Sequence, residues 1–166
     1  WGKCGDQQIF LTESMVTVQH ASQRTLLVAV RAPCFAYDFL VLHAPHQWKK
    51  KGESDQDALD RVSNYWDHVR EVLAERKAPL RPTVALVDAN SKIPARKFAG
   101  FGTGVERSAS VFDNYFADLC VEHDMALPAT HPELHVGSGV TFSSPLHEAS
   151  RIDLVALPHE MLQCVS

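Results

Sequence analysis

Hydrophobic positions recur with two different periods along these 166 residues, and the switches between the periods lay out the elements. "TLLVAVR" (25–31) and "DFLVLHA" (38–44) are short apolar runs that predict two neighbouring strands, separated by "APCFAY". The polar stretch "HQWKKKGESDQD" that follows reads as a surface loop. From Ser54 the period changes. Leu59, Val62, Trp66, Val69 and Leu73 recur at steps of three and four, which places them on one helical face. Ser54 and Asp57 have the spacing of a capping arrangement at its start, and "APLRP" ends the helix because proline cannot continue it.

"TVALV" (83–87) then predicts a buried strand that delivers "DAN" at its C-terminal end. "FAGFGTG" is glycine-rich, but it holds neither GxGxxG nor a P-loop lysine and reads as plain loop. A second helix is predicted over 110–124, with Phe112, Phe116, Leu119 and His123 along one stripe. Extended pieces follow at "MALPATH" and "GVTFSS", and a last strand at "RIDLVALP". This order predicts one α/β domain in layers, with helices packed on sheet faces.

Composition changes the picture little. Hydrophobic residues make up 45% and charged residues 22%, ordinary values for a globular domain with a real core. The formal net charge of -4 counts against a simple basic-patch binder of nucleic acid. It leaves room for an enzyme that neutralises substrate phosphates with a metal ion. Cys4, Cys34, Cys120 and Cys164 are too scattered for a zinc site or a disulfide scaffold, and are expected to be free, mostly packed thiols of an intracellular chain. No apolar run approaches the roughly 20 residues of a membrane span. The start, "WGKCGDQQIF", has neither a signal-peptide profile nor an initiator methionine, which points to a piece of something longer.

The candidate chemistry lies at three strand ends. "VLHAP" presents His43, "LVDAN" presents Asp88 and Asn90, and "SRIDLVAL" carries Asp153 in an otherwise apolar run. Each has an ordinary reading. A strand-end histidine is commonly a rim residue, "DAN" is a common turn, and Asp153 could pair with Arg151 were neighbours on a strand not aimed at opposite faces. Taken together they suggest more. In an extended chain Asp88 and Asn90 would point the same way, and a carboxylate beside an amide suits the grip on an attacking water. His43 and His46 do not read as a metal pair, because positions three apart on a strand diverge. The remaining histidines (His20, His68, His123, His131, His135, His147 and His159) show no HExxH spacing. "WKKK" at 48–51 suits a nucleic-acid backbone, or is a solvated loop.

In their order and spacing, "VLHAP", "LVDAN", "LPATH", "GVTFSSP" and "SRIDLVALP" resemble the endonuclease/exonuclease/phosphatase superfamily. The similarity is greatest to its deoxyribonuclease-like members and the endonuclease domains of non-LTR retrotransposons, and it covers roughly residues 25 to 158. It implies a layered α/β sandwich of two β-sheets flanked by helices, here lacking the N-terminal strands and the C-terminal end, with residues 1–166 as a single partial domain. It implies hydrolysis of phosphodiester bonds with Mg2+, nucleic acid as partner (DNA rather than RNA), and a reverse transcriptase domain in a longer parent chain.

By the same resemblance His43 is an acid or electrostatic stabiliser near the scissile phosphate, and Asp88 orients the nucleophilic water. Asn90 contacts the phosphate, Asp153 is the acid that orients a general-base histidine, and Thr141 and Phe142 flank the substrate. Four departures accompany it. Val87 stands where the family has glycine, and Glu13, the one acid near the start, has surroundings that do not match the family's metal-binding glutamate. That glutamate's Asn companion has no counterpart either. No Ser-Asp-His motif follows, and His159 is too close to Asp153 to replace its histidine. The expectation is therefore a phosphodiesterase with about half of the usual site, weakly active as it stands. The alternative is an inactive α/β remnant that binds or supports.

Overall fold

The computed structural model describes residues 2–4, 7–94, 98–104, 110–135, 137, 140–144 and 147–164. Among the described residues ten strands and two α-helices are formed: β1 (Gly2–Cys4), β2 (Gln7–Ile9), β3 (Val16–Ala21), β4 (Thr25–Ala32), β5 (Phe35–His43), α1 (Asp55–Ala74), β6 (Thr83–Asp88), α2 (Asn114–Glu122), β7 (Met125–Ala126), β8 (Phe142–Ser144), β9 (His147–Ser150) and β10 (Asp153–Pro158). Six of the strands make one mixed sheet in the order β3-β4-β5-β6-β10-β7, and two separate ribbons pair β1 with β2 and β8 with β9. The α/β layering expected from the sequence is present, with one large sheet among the described residues. Gly139 and Pro145 of "GVTFSSP" lie outside them.

Strand alternation sorts the sheet into two faces. Thr25, Leu42, Val87 and Leu154 form one rung across four strands, and Leu27, Leu40, Ala85 and Ala156 form the next. All eight are buried, under the Val62–Trp66–Val69–Leu73 stripe of α1 and under Phe116 and Leu119 of α2. Trp66 stacks on Phe116 at 5.7 Å between ring centroids, which joins the two helices over the sheet. Burial of each large side chain contributes roughly 1.5–3 kcal/mol. The capping box predicted at α1 is formed: Asp57 N donates to Ser54 Oγ (3.1 Å) and Ser54 N to Asp57 Oδ2 (3.1 Å).

The opposite face is half-open. Leu26, Val41, Leu86 and Val155 form an apolar rung on it, and the last three are 39%, 42% and 44% exposed. Among the described residues no helix is long and apolar enough to cross a membrane. The glycine-rich loop is structural. A Cβ on Gly102 would meet the Thr130 carbonyl at 2.3 Å, and Gly102 N and Gly104 N both bond to Thr130. Of the cysteines, Cys120 is packed and burial pushes its thiol up, whereas Cys34 and Cys164 are exposed; the expectation of mostly packed thiols fails for these two.

A charged pair lies inside the frame. Asp38 on β5 is fully buried and accepts from Arg81 (2.6 Å), which precedes β6, and from Gln19 (2.9 Å). Gln19 reaches it because a bulge in β3 shifts the register between Val18 and His20. Arg81→Ala leaves a buried carboxylate without its cation and is expected to destabilise the fold by about 3–5 kcal/mol in urea denaturation. The double change Arg81→Met with Asp38→Leu should recover most of that loss. A double variant no more stable than the single would contradict this reading.

Candidate active site

The three strand ends meet on one rung. β5 runs parallel to β6 with His43 opposite Asp88, and β6 runs antiparallel to β10 with Asp88 opposite Asp153. The flanking core residues decide the face. Leu42, Val87 and Leu154 point under the helices, so their neighbours His43, Asp88 and Asp153 must point to the open face. His43 Nε2 lies 3.7 Å from Asp88 Oδ2, with both side chains solvent-accessible. Side chains directly opposite across a ladder sit about 4.5–5.5 Å apart at Cβ. Like charges directly opposite on a ladder are unfavourable, so a cation is a natural companion for two carboxylates so placed.

Asn90 joins the group by another route than the extended chain predicted. The strand ends at Asp88, and Asn90 adopts φ +46°, in the left-handed region that asparagine tolerates better than most residues. Its backbone N–H donates to Asp88 Oδ1 (3.2 Å), so "DAN" is also the turn that its composition suggests. Its Nδ2 donates to the Ala44 carbonyl (2.7 Å) and thereby ties the end of β6 to the end of β5. Asp88 and Asn90 therefore stay adjacent without being parallel.

Thr141 and Phe142 stand beside β10. Thr141 Oγ1 accepts from both Ile152 N (2.9 Å) and Asp153 N (3.1 Å), which fixes the backbone that carries the Asp153 carboxylate. Phe142 opens β8 and is half-buried. Glu13 is exposed at the start of edge strand β3, beside the Val30 end of β4 and away from the His43 end. His159 follows β10 at its opposite end, 3.4 Å from Asp124, next to a cavity of about 360 Å3 that also holds Arg76, Arg81 and His123. Neither residue belongs to the rung.

Several supporting residues escaped sequence reasoning. Arg24, from the β3–β4 turn, donates to the carbonyls of His43 (3.2 Å) and Ala44 (3.4 Å). Tyr65 of α1 donates to the Arg24 carbonyl (3.3 Å), and burial pushes its hydroxyl up to about 12. Asp113 is buried and accepts from Lys92 N (3.1 Å), Ser110 N (3.2 Å) and Gln47 Nε2 (3.5 Å). It thus holds together the two loops that leave β5 and β6. Its one signal in the sequence is the Ser-x-x-Asp spacing of Ser110 and Asp113, which forms a capping box.

Three solved structures share this arrangement of elements. The endonuclease domain of TRAS1, a telomere-specific non-LTR retrotransposon, matches with TM-score 0.56 at 14% identity, over 89% of this chain and 57% of that one. The AP endonuclease LMAP from Leishmania major matches with TM-score 0.55 at 12% identity, over 84% of this chain and 47% of that one. The 3' phosphatase NExo from Neisseria, bound to a product DNA hairpin, matches with TM-score 0.55 at 12% identity, over 92% of this chain and 61% of that one. This is the endonuclease/exonuclease/phosphatase fold.

At these identities the likeness of the endonuclease/exonuclease/phosphatase proteins to this chain is one of fold. The chain spans about half the length of the three proteins it matches (57%, 47% and 61%). No protein-family sequence profile matches it, and no curated protein does.

The Asn90 turn gives a direct test of the local geometry. Asn90→Ala loses both the bond to Ala44 and the tolerance of positive φ, and should cost about 2 kcal/mol in chemical denaturation. Asn90→Gly loses only the bond and should cost about 1 kcal/mol. Equal losses would contradict the left-handed turn.

Proposed function

We propose that the chain is a phosphodiester hydrolase of the nuclease type, with His43, Asp88, Asn90 and Asp153 as its site. The observation that carries this reading is the shared rung: residues 110 positions apart in sequence, His43 and Asp153, flank the same carboxylate, Asp88. Mg2+ is the expected cofactor. Asp88 and Asp153 fit it, being paired carboxylate oxygens exposed at a rim, since Mg2+ is usually held by one or two carboxylates plus water and substrate phosphate. Among the described residues no group of three or more potential ligands is assembled, so the two acids would hold the ion only with help from the substrate. When bound, the ion supplies charge neutralisation at the phosphate oxygens.

The chain's own residues then divide the remaining work. Asp88 accepts a hydrogen bond from the attacking water and orients it in line with the leaving oxygen. His43, on the outer side of Asp88, donates a ring N–H to the phosphate and so stabilises negative charge developing there. Asn90 spends one amide N–H on Ala44 and keeps the second for a phosphate oxygen. Asp153, fixed by Thr141, completes the anionic side of the site, and Thr141 and Phe142 border the substrate there. Such groups act as a unit, so a site with part of the usual set turns over slowly.

DNA is the proposed substrate, supported by the DNA hairpin that NExo holds and by the retrotransposon origin of TRAS1. A reverse transcriptase in the same parent chain would accord with the latter. A non-catalytic binding module is the second reading, and the lack of a larger ligand cluster among the described residues favours it.

A plasmid nicking assay with Mg2+ separates the two readings. Slow nicking of supercoiled DNA by the wild type is expected, lost on chelation and lowered at least about 10²-fold by Asp88→Ala and by Asp153→Ala. Nicking that is equal in wild type and Asp88→Ala would assign the activity to a contaminant. No nicking at all by well-folded protein, with DNA still bound, would establish the binding module instead.

A further inference from the structure

At the end of the sheet away from the rung, the layer between helices and sheet opens into the cavity of about 360 Å3. β6 runs from Thr83 at this cavity to Asp88 on the rung, roughly 17 Å of strand, so the two places are separate. The floor holds cations. The Arg81 side chain is 8% exposed, and one of its N–H groups donates to Asp38 (2.6 Å). Its other N–H groups have no protein partner among the described residues, and no Arg81 nitrogen is both unpartnered and sealed from solvent. These spare donors therefore reach the cavity that the side chain lines.

Arg76, just past α1, is half-buried and donates to the carbonyls of Leu73 (2.8 Å) and Pro79 (3.2 Å) and to the Thr83 hydroxyl. These partners are neutral, so among the described residues its charge is not met by a carboxylate. His123, at the end of α2, is half-buried beside it. Burial, and to a lesser degree the Arg81 charge, pull Arg76 below its ordinary value against the attraction of Asp38. Burial and the Arg76 charge do the same to His123. The acids of the cavity lie at its rim: Asp124 is 74% exposed and meets His159 at 3.4 Å, and Glu160 is exposed. Solvent screens such rim charges, whereas a buried guanidinium acts through a medium of lower dielectric. The floor is positive, and an anion seated on it relieves the burial of both arginines.

We propose that this cavity binds a small phosphate monoester, at a site distinct from the rung, with Arg81 and Arg76 on the phosphate. A guanidinium presents paired donors that match phosphate oxygens. A monoester carries a charge of about −1.5 to −2 at neutral pH, which suits two guanidinium groups better than the single charge of a phosphodiester. The volume is at the small end of ligand sites, which start at roughly 300 Å3, and fits a mononucleotide rather than a strand. Leu80, Pro82 and Pro158 give the mouth apolar walls for the organic part, and Leu80 stands 98% exposed there. This site stands or falls independently of the hydrolase reading.

An NMR titration of the whole chain with deoxyadenosine monophosphate, and with deoxyadenosine as the uncharged control, tests the site. The amide signals of Arg81, Thr83 and His123 should shift saturably with the monophosphate, and deoxyadenosine should need at least about tenfold more to do the same. The double variant Arg81→Met with Asp38→Leu, expected above to fold, removes the buried guanidinium and should weaken the monophosphate at least about tenfold. Arg76→Gln, which leaves the Asp38–Arg81 pair intact, should weaken it in the same direction and decides the matter if the double variant does not fold. No shift at these positions with millimolar monophosphate overturns the site. So does an equal response to the two probes, or an affinity that folded variants leave unchanged.

Discussion

Register parity across β5, β6 and β10 is the constraint on which everything else depends. Successive side chains on a strand face opposite ways, so burying Leu42, Val87 and Leu154 beneath α1 and α2 leaves His43, Asp88 and Asp153 one choice of face. A slip of one residue in any of the three strands would bury a charged or imidazole group in the core and expose a leucine or valine. Hydrophobic burial of roughly 1.5–3 kcal/mol per large side chain therefore enforces a convergence of polar groups that would not assemble by their own attraction. Asp88 and Asp153 stand opposite each other because the core fixes the register.

Around this rung the chain adds a second level of restraint that works on loops. Arg24 holds the end of β5 by its carbonyls, Asn90 ties the ends of β5 and β6, Thr141 fixes the start of β10, and Asp113 bridges the loops beyond. Arg61 of α1 does the same for the loop after β5, at the carbonyls of His46 and Trp48. These bonds go largely from side chain to backbone, so they set where the chain runs and leave the side chains of His43, Asp88 and Asp153 accessible. Rigid strands carry the rung, and polar clamps hold the adjoining loops.

Much of this is legible in the sequence, for specific reasons. The α1 stripe, its Ser54–Asp57 cap, and the buried strands at 25–31, 38–44 and 83–87 each have a strong local pattern, because local period and tertiary burial agree there. β3 carries no such pattern, because its apolar residues Val16 and Val18 face solvent and the bulge at Gln19 breaks its alternation. The grouping of His43, Asp88 and Asp153 followed from the strand ends and the family resemblance, and the register agrees with it. The divergence of Asn90 from Asp88 was not legible, since a left-handed turn leaves no mark on sequence spacing. Arg24, Arg61 and Asp113 act across long separations through backbone atoms, which no spacing rule detects.

As proposed, the rung is one site rather than three neighbouring side chains. NMR titration with Mn2+, a paramagnetic substitute for Mg2+, tests it most directly. The amide signals of His43, Asp88 and Asp153 are expected to broaden together at the same low metal concentration, and Asp88→Asn or Asp153→Asn alone should abolish the broadening of all three. Broadening confined to one of these positions, or unchanged by either substitution, would contradict it.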